Sequence, residues 1–301
     1  MGVNISLFLL VRRFASCLAE RRWYSNIKEI MAPLKNLKTK EGLMAYVNLI
    51  VEREENIGII TLNRPPANPI NLAVLNELDE VLTKWAQDKA VRAIIITGAG
   101  ERGFSAGFDL KTAGTPEGEK SMSRGQEVFS HIEKCPKPVI AAINGFALGG
   151  GCELAMSCHF RIMLNSGQVV MGQPEIDRGI IPGWGGTQRL PRLVGRTKAL
   201  EMLLLGTRIN APEALSIGLI TRVSQPGQLM NDAKELARAL AKKAPVAVQV
   251  ILDAVTRGLE TTTDQGVKIE LEGSQRVSRT KDAMEGAIAF IQKREPVFTG
   301  E

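Results

Sequence analysis

Histidine is nearly absent from this 301-residue chain, with only His131 and His159. Its four cysteines, Cys17, Cys135, Cys152 and Cys158, form no C-x-x-C pair and have no metal-ligand spacing with either histidine. No zinc or other metal site is implied, and the thiols read as small apolar residues of a reducing compartment. The strongly apolar run near the start, Ile5 to Val11, falls far short of the roughly 20 residues a membrane-spanning helix needs. The GxxxxGK[ST] phosphate loop is missing. Gly98-Ala99-Gly100-Glu101-Arg102-Gly103 matches a dinucleotide-binding turn only loosely, without the expected helix behind it. No internal repeat, low-complexity tract or interdomain linker stands out.

Positive charge is also scarce where a nucleic-acid surface would need it. Of the net +6, residues 1–43 carry +5, from eight Lys or Arg against three Glu, so the body of the chain is near neutral. A nucleic-acid partner is not expected, because such a surface places its basic patch on the folded domain. The bias of residues 1–43, with Arg12, Arg13, Arg21 and Arg22, several serines and few acids, reads as a mitochondrial transit segment with Arg22-Trp23-Tyr24-Ser25 as its processing point. The competing reading makes Met44 the true start, with Lys40-Glu41-Gly42 encoded by a purine-rich ribosome-binding sequence. The first reading implies the mitochondrial matrix, the second the cytoplasm. Either way, residues 1–43 are expected to be disordered and to stand apart from the fold.

What is present is a chain with 44% hydrophobic residues, enough for one substantial core and an appended helical piece. Residues 47–53 and 57–62 read as two strands joined by the turn Glu54-Glu55-Asn56. The three prolines between Asn63 and Pro69 force a loop. Leu72, Leu75, Leu78, Val81, Leu82 and Trp85 recur at helical spacing, and Ala93–Thr97 is a short apolar strand. The alternation continues with a helix over 121–134, a strand over 138–143, a helix over 152–158 and a strand over 160–163, which argues α/β layering. From about residue 195 the pattern is nearly all helical, with helices over 199–205, 212–217, 229–243, 246–259, 268–277 and 282–293. Residues 44–235 read as the core and 236–301 as a helical tail.

Three glycine-rich segments follow predicted strands: Gly103 to Leu110, Asn144 to Ala155, and Gly172 onward through Gly186-Thr187-Gln188-Arg189-Leu190. Small residues there let main-chain N–H groups face a ligand atom, and a helix starting near Gly151 adds positive partial charge. Two carboxylates, Glu153 in Gly149-Gly150-Gly151-Cys152-Glu153 and Glu175 in Gly172-Gln173-Pro174-Glu175, sit within these segments. Taken singly, the glycines are ordinary tight turns, Glu153 a carboxylate serving a helix dipole, and Glu175 a solvated loop acid.

Together, from Tyr46 to the C-terminus, the segments closely resemble the crotonase superfamily, and within it enoyl-CoA hydratase. Leu62-Asn63-Arg64-Pro65, Pro182-Gly183-Trp184-Gly185-Gly186-Thr187-Gln188-Arg189-Leu190, Gly206-Thr207-Arg208-Ile209 and the tail from Lys281-Asp282 to Phe298 support the match. The resemblance implies a ββα spiral core with a C-terminal helical region that assembles trimers or dimers of trimers. It implies that the N–H groups of Phe108 and Gly150 form an oxyanion hole for a thioester carbonyl. Glu153 would activate water for attack at C3, and Glu175 would exchange the proton at C2. Coenzyme A, part of the substrate, would lie along Arg64, Ala67, Asn68, Ala106, Asp109, Leu110 and Lys111, with no metal or other cofactor.

Both carboxylates favour reversible hydration of a 2-enoyl-CoA, or a 3-hydroxyacyl-CoA dehydratase running the same step backwards, over the double-bond isomerases, which generally keep only the second. A non-catalytic RNA-binding relative is the alternative of a different class. Two departures from the family pattern stand out. The Glu153–Glu175 spacing is two residues longer than usual, assigned to a turn at Asn165-Ser166-Gly167, and His159 replaces the usual Asp as a local structural substitution. With no Ser-His-Asp arrangement beside it, His159 does not suggest a hydrolase.

Overall fold

The computed structural model describes residues 46–301. The expected disorder of residues 1–43, the transit segment and the start at Met44 lie outside the described residues. Within them, strands β1 (Leu49–Glu54) and β2 (Ile57–Leu62) form an antiparallel hairpin, followed by helix α1 (Leu72–Gln87). Three ββα turns follow: β3 (Ala93–Gly98), β4 (Gly103–Ser105) and α2 (Pro116–Glu133), then β5 (Val139–Ile143), β6 (Phe146–Leu148) and α3 (Gly150–Ser157), then β7 (Phe160–Leu164), β8 (Met171–Gly172) and α4 (Gly186–Val194). After α5 (Arg196–Leu205), β9 (Arg208–Ile209), α6 (Ala211–Ser216) and β10 (Arg222–Ser224), the chain is helical: α7 (Leu229–Ala241), α8 (Pro245–Gly258), α9 (Thr263–Val277) and α10 (Lys281–Gln292).

Each ββα turn adds one strand to each of two sheets, ordered β1-β2-β3-β5-β7-β10 and β4-β6-β8-β9, which is the spiral expected from sequence. Pairing is parallel from β2 through β10 in the large sheet and from β4 to β8 in the small one. Side chains alternate across a strand, so the apolar strands divide between two cores. Ile94 and Ile96 join α1 and α2 on one face, with Val139, Ala141 and Ile143. Ala93 and Ile95 face the other way with Ile140, Ala142 and Ile162, against Leu229, Ala233 and Ala237 of α7. The four-residue spacing and small side chains of that stripe let α7 lie close on the sheet. Helix α7 runs through residue 235, and its Ala237 packs on the large sheet.

Helix α2 starts five residues before its expected position. Its first turn is polar, and Thr115, whose hydroxyl accepts from Gly118 N at 3.2 Å, caps it with Pro116 at the first helical position. Sequence reading missed α4, which contains Pro191, and all the strands of the small sheet, which are only two or three residues long. Between β7 and β8 the chain turns at Gly167 and Gln168, closed by Val169 N donating to Ser166 O at 2.9 Å. Among the described residues no helix is long and apolar enough to cross a membrane.

Candidate active site

The end of β4 and the start of α3 meet edge to edge. Gly107 turns the chain at φ +82°, and a Cβ there would lie 2.5 Å from the nitrogen of Gly150. Only glycine allows both this left-handed backbone and the close approach. The bridge Ile70–Phe108 fixes the loop through Ile70 N to Gly107 O at 2.7 Å and Asp109 N to Ile70 O at 2.9 Å. These bonds leave the N–H of Phe108 unclaimed. The N–H of Gly150, at the first turn of α3, likewise has no protein acceptor among the described residues. Unclaimed donors at a helix N-terminus are favourable to an oxygen that carries negative charge.

Glu153 sits one turn into α3, 2% exposed, and its Oε1 accepts from Trp184 N and Gly186 N, both at 2.7 Å. Burial pushes its carboxyl up to about 7; the two main-chain bonds pull it down, and the charge of Glu175 adds to the rise. Glu175 lies in the short 3-10 helix Pro174–Arg178, 8% exposed, and its carboxyl is also raised by burial, against the pull of its own main chain and Arg178. It reaches the start of α3: a Cβ on Gly149, itself at φ +54°, would be 2.7 Å from Glu175 Oε1. The fully buried Gln173 amide, oriented with its nitrogen toward Glu175, donates to both carboxylate oxygens at 3.1 and 3.2 Å. The same amide packs against Gly186, whose N–H holds Glu153. Two carboxylates of the same sign are thus gathered beside two free N–H groups, in an environment that favours at least one of them protonated.

The loop expected to line coenzyme A is in place, but three of its polar side chains bind the protein itself. Arg64 donates to Asp109 Oδ2 at 2.9 Å and to Pro69 O at 2.8 Å. Buried Asn68 donates to Ala99 O and Gly103 O, and its Oδ1 accepts from Arg64 N. Asp109 also accepts from Lys111 N at 3.2 Å. Ala106, Leu110 and Lys111 are exposed and Ala67 is half-buried, with Ala106 N bonded to Ala67 O. The Arg64–Asp109 pair therefore ties the proline-rich loop to the Phe108 loop. Among the described residues no group of three or more His, Cys, Asp or Glu is placed to hold a metal ion.

The enoyl-CoA hydratase/isomerase family matches residues 52–301. A short-chain-enoyl-CoA hydratase of Clostridium acetobutylicum is 45% identical over 84% of this chain and 97% of its own length. The chain belongs to the enoyl-CoA hydratase/isomerase family. A crotonyl-CoA hydratase of Syntrophomonas wolfei is 43% identical over 85% of this chain and 99% of its own. The crystal structure of an enoyl-CoA hydratase from Bacillus anthracis superimposes with a TM-score of 0.81 at 41% identity, covering 84% of this chain and all of that one.

Within this family member, sequence reasoning placed both glutamates and both N–H donors in one site but missed what holds them. The N–H groups of Trp184 and Gly186 are main-chain donors that no side-chain pattern reveals, although both residues lie in the quoted Pro182–Leu190 segment. Gln173 stood two residues before Glu175 without a role. His159 takes a structural place, its Nδ1 accepting from Val139 N at 2.9 Å, and burial pushes the imidazole down to about 4, so it stays neutral. His131 pairs with Asp79 at 2.7 Å between α1 and α2.

Proposed function

We propose that this protein is an enoyl-CoA hydratase that reversibly adds water, in syn fashion, to a 2-trans-enoyl-CoA to give a 3-hydroxyacyl-CoA. The observation that carries this reading is the pair of buried glutamates beside two unclaimed main-chain N–H groups. In the proposed step, Glu153 takes a proton from water as the water oxygen bonds to C3. The alkene electrons move onto the thioester oxygen, where the N–H groups of Phe108 and Gly150 stabilise the enolate. Glu175, protonated, then gives its proton to C2, and the proton held on Glu153 passes through solvent back to Glu175, so that the net change is one water added across C2 and C3. Burial brings Glu153 to about 7, where a carboxyl can exchange a proton near neutral pH, and raises Glu175 as well. The reaction needs no redox cofactor, and coenzyme A enters as part of the substrate.

The coenzyme is assigned to the surface of Ala67, Ala106, Leu110 and Lys111, with Arg64, Asn68 and Asp109 shaping it from beneath. We also assign a homotrimer or dimer of trimers, supported by the apolar residues that the tail leaves exposed: Ile251 and Val255 on α8 with Leu259 at its C-terminal cap, at four-residue spacing, and Phe290 and Ile291 on α10. A cytoplasmic location is supported by the three buried free cysteines of the described residues, which suit a reducing compartment.

The names of the two relatives direct the assay to crotonyl-CoA. The purified chain is expected to remove the conjugated enoyl-thioester absorbance and, in heavy water, to place deuterium at C2 of the product. Absence of turnover would favour a binding relative, and faster isomerisation of a 3-enoyl-CoA than hydration of a 2-enoyl-CoA would favour an isomerase.

A further inference from the structure

We propose that the Trp184 indole, wedged between Phe108 and Phe129, is the wall that confines the substrate's acyl group to short chains, a reading that rests on the hydratase assignment and adds its substrate class. The main chain of Trp184 holds Glu153, and its side chain lies directly behind the two residues assigned to grip the thioester oxygen. A Cβ on Gly150 would be 2.4 Å from the indole Cζ3, and one on Gly125 of α2 would be 2.2 Å from its Nε1. Phe108 meets the indole edge-on at 5.9 Å and Phe129 at 5.3 Å between ring centres. Two glycines on different helices thus make room for the largest side chain of the set, which is 1% exposed.

Among the described residues the indole N–H has no acceptor, and the ring is held by packing. In this proposal a chain running on from C3, beside Glu153, ends against the indole, which backs Gly150 and Phe108. Close-packed rings between two helices do not yield to an added methylene without displacement. The alternative outlet is the apolar groove of about 350 Å³ formed by Ile176, Ile180, Ile181, Leu200 and Leu204, on the far end of the Glu175 turn.

The test compares native protein, Trp184→Ala and Trp184→Phe, each checked for fold by circular dichroism. Two readouts are taken: kcat/KM for crotonyl-CoA against 2-octenoyl-CoA, and Kd by calorimetry for butanoyl-CoA against octanoyl-CoA, which needs no turnover. The native protein should favour the four-carbon chain by about tenfold or more, the lower range for a methylene the pocket cannot hold. Trp184→Ala should shift the ratio toward eight carbons by about tenfold, with Trp184→Phe between. Lack of turnover with this shift intact in Kd would remove the hydratase reading and keep the wall. A native protein that takes both lengths equally, or a ratio that Trp184→Ala leaves unchanged in both readouts, would overturn the wall and send the chain out through the groove.

Discussion

Replacing Glu153 with Gln separates the chemistry of this site from its stability. A glutamine oxygen can still accept the 2.7 Å bonds from Trp184 N and Gly186 N, so the loop that they tether keeps its anchor. Native Glu153 carries a cost that glutamine does not. Its carboxyl titrates near 7 in the folded state against an ordinary 4.5. Below pH 4.5 folded and unfolded chains are both protonated and the cost vanishes. As pH rises toward 7 the unfolded carboxyl ionises first, so native stability falls through that window and levels off above it. At 1.36 kcal/mol per pKa unit, the change between pH 5 and pH 8 is roughly 2–3 kcal/mol. The amide nitrogen of the variant adds an offset that is the same at both values. Urea unfolding of both proteins at pH 5 and pH 8, at one fixed protein concentration, should show Glu153→Gln gaining that amount relative to native as pH rises. Its kcat for crotonyl-CoA should fall about 10²–10⁴-fold, as expected for loss of a general base. A stability gap that does not move with pH, or that moves the other way, refutes the burial argument. Retained activity refutes the role of the base.

Other perturbations act on different parts of the site. The pH profile of kcat/KM should rise through about 7 as Glu153 ionises; a profile that is flat between pH 5 and 9 would count against its role as the base. Gly107→Ala places a Cβ on a φ +82° backbone 2.5 Å from Gly150 N, and should lower kcat by about 10²–10³-fold, the typical loss of one oxyanion donor, measured on crotonyl-CoA. Arg64→Ala leaves buried Asp109 without its 2.9 Å partner and should destabilise by about 1–3 kcal/mol in urea while raising KM more than it lowers kcat. Charges placed on the exposed tail face, as in Ile251→Asp with Leu259→Asp, should shift sedimentation from trimer or hexamer to monomer.

The large sheet was readable apart from its three-residue edge strand Arg222–Ser224, because its other strands are mostly β-branched runs, Ile94-Ile95-Ile96 above all, and parallel strands buried on both faces need no alternation of polar residues. The small sheet was not, since Met171–Gly172 and Arg208–Ile209 are too short to carry a periodic signal. Helix α7 was found from its periodicity, but its packing on the large sheet was not. Its inward residues are mostly alanines, whose burial depends on strands of that sheet as far back as Ile57. At the site, the glutamates and glycines were visible as residue types in specific segments. The donors that hold Glu153, and the use of Arg64, Asn68 and Asp109 as internal braces, are products of tertiary contact and leave no local trace.

The most direct test of the central claim is a crystal structure with a 3-hydroxybutanoyl-CoA bound. The thioester oxygen should lie about 2.7–3.1 Å from the main-chain nitrogens of both Phe108 and Gly150, the span of a working oxyanion hole, with the 3-hydroxyl between the carboxyl groups of Glu153 and Glu175. A thioester oxygen bound elsewhere, or a C2–C3 unit that neither carboxyl group reaches, would contradict it.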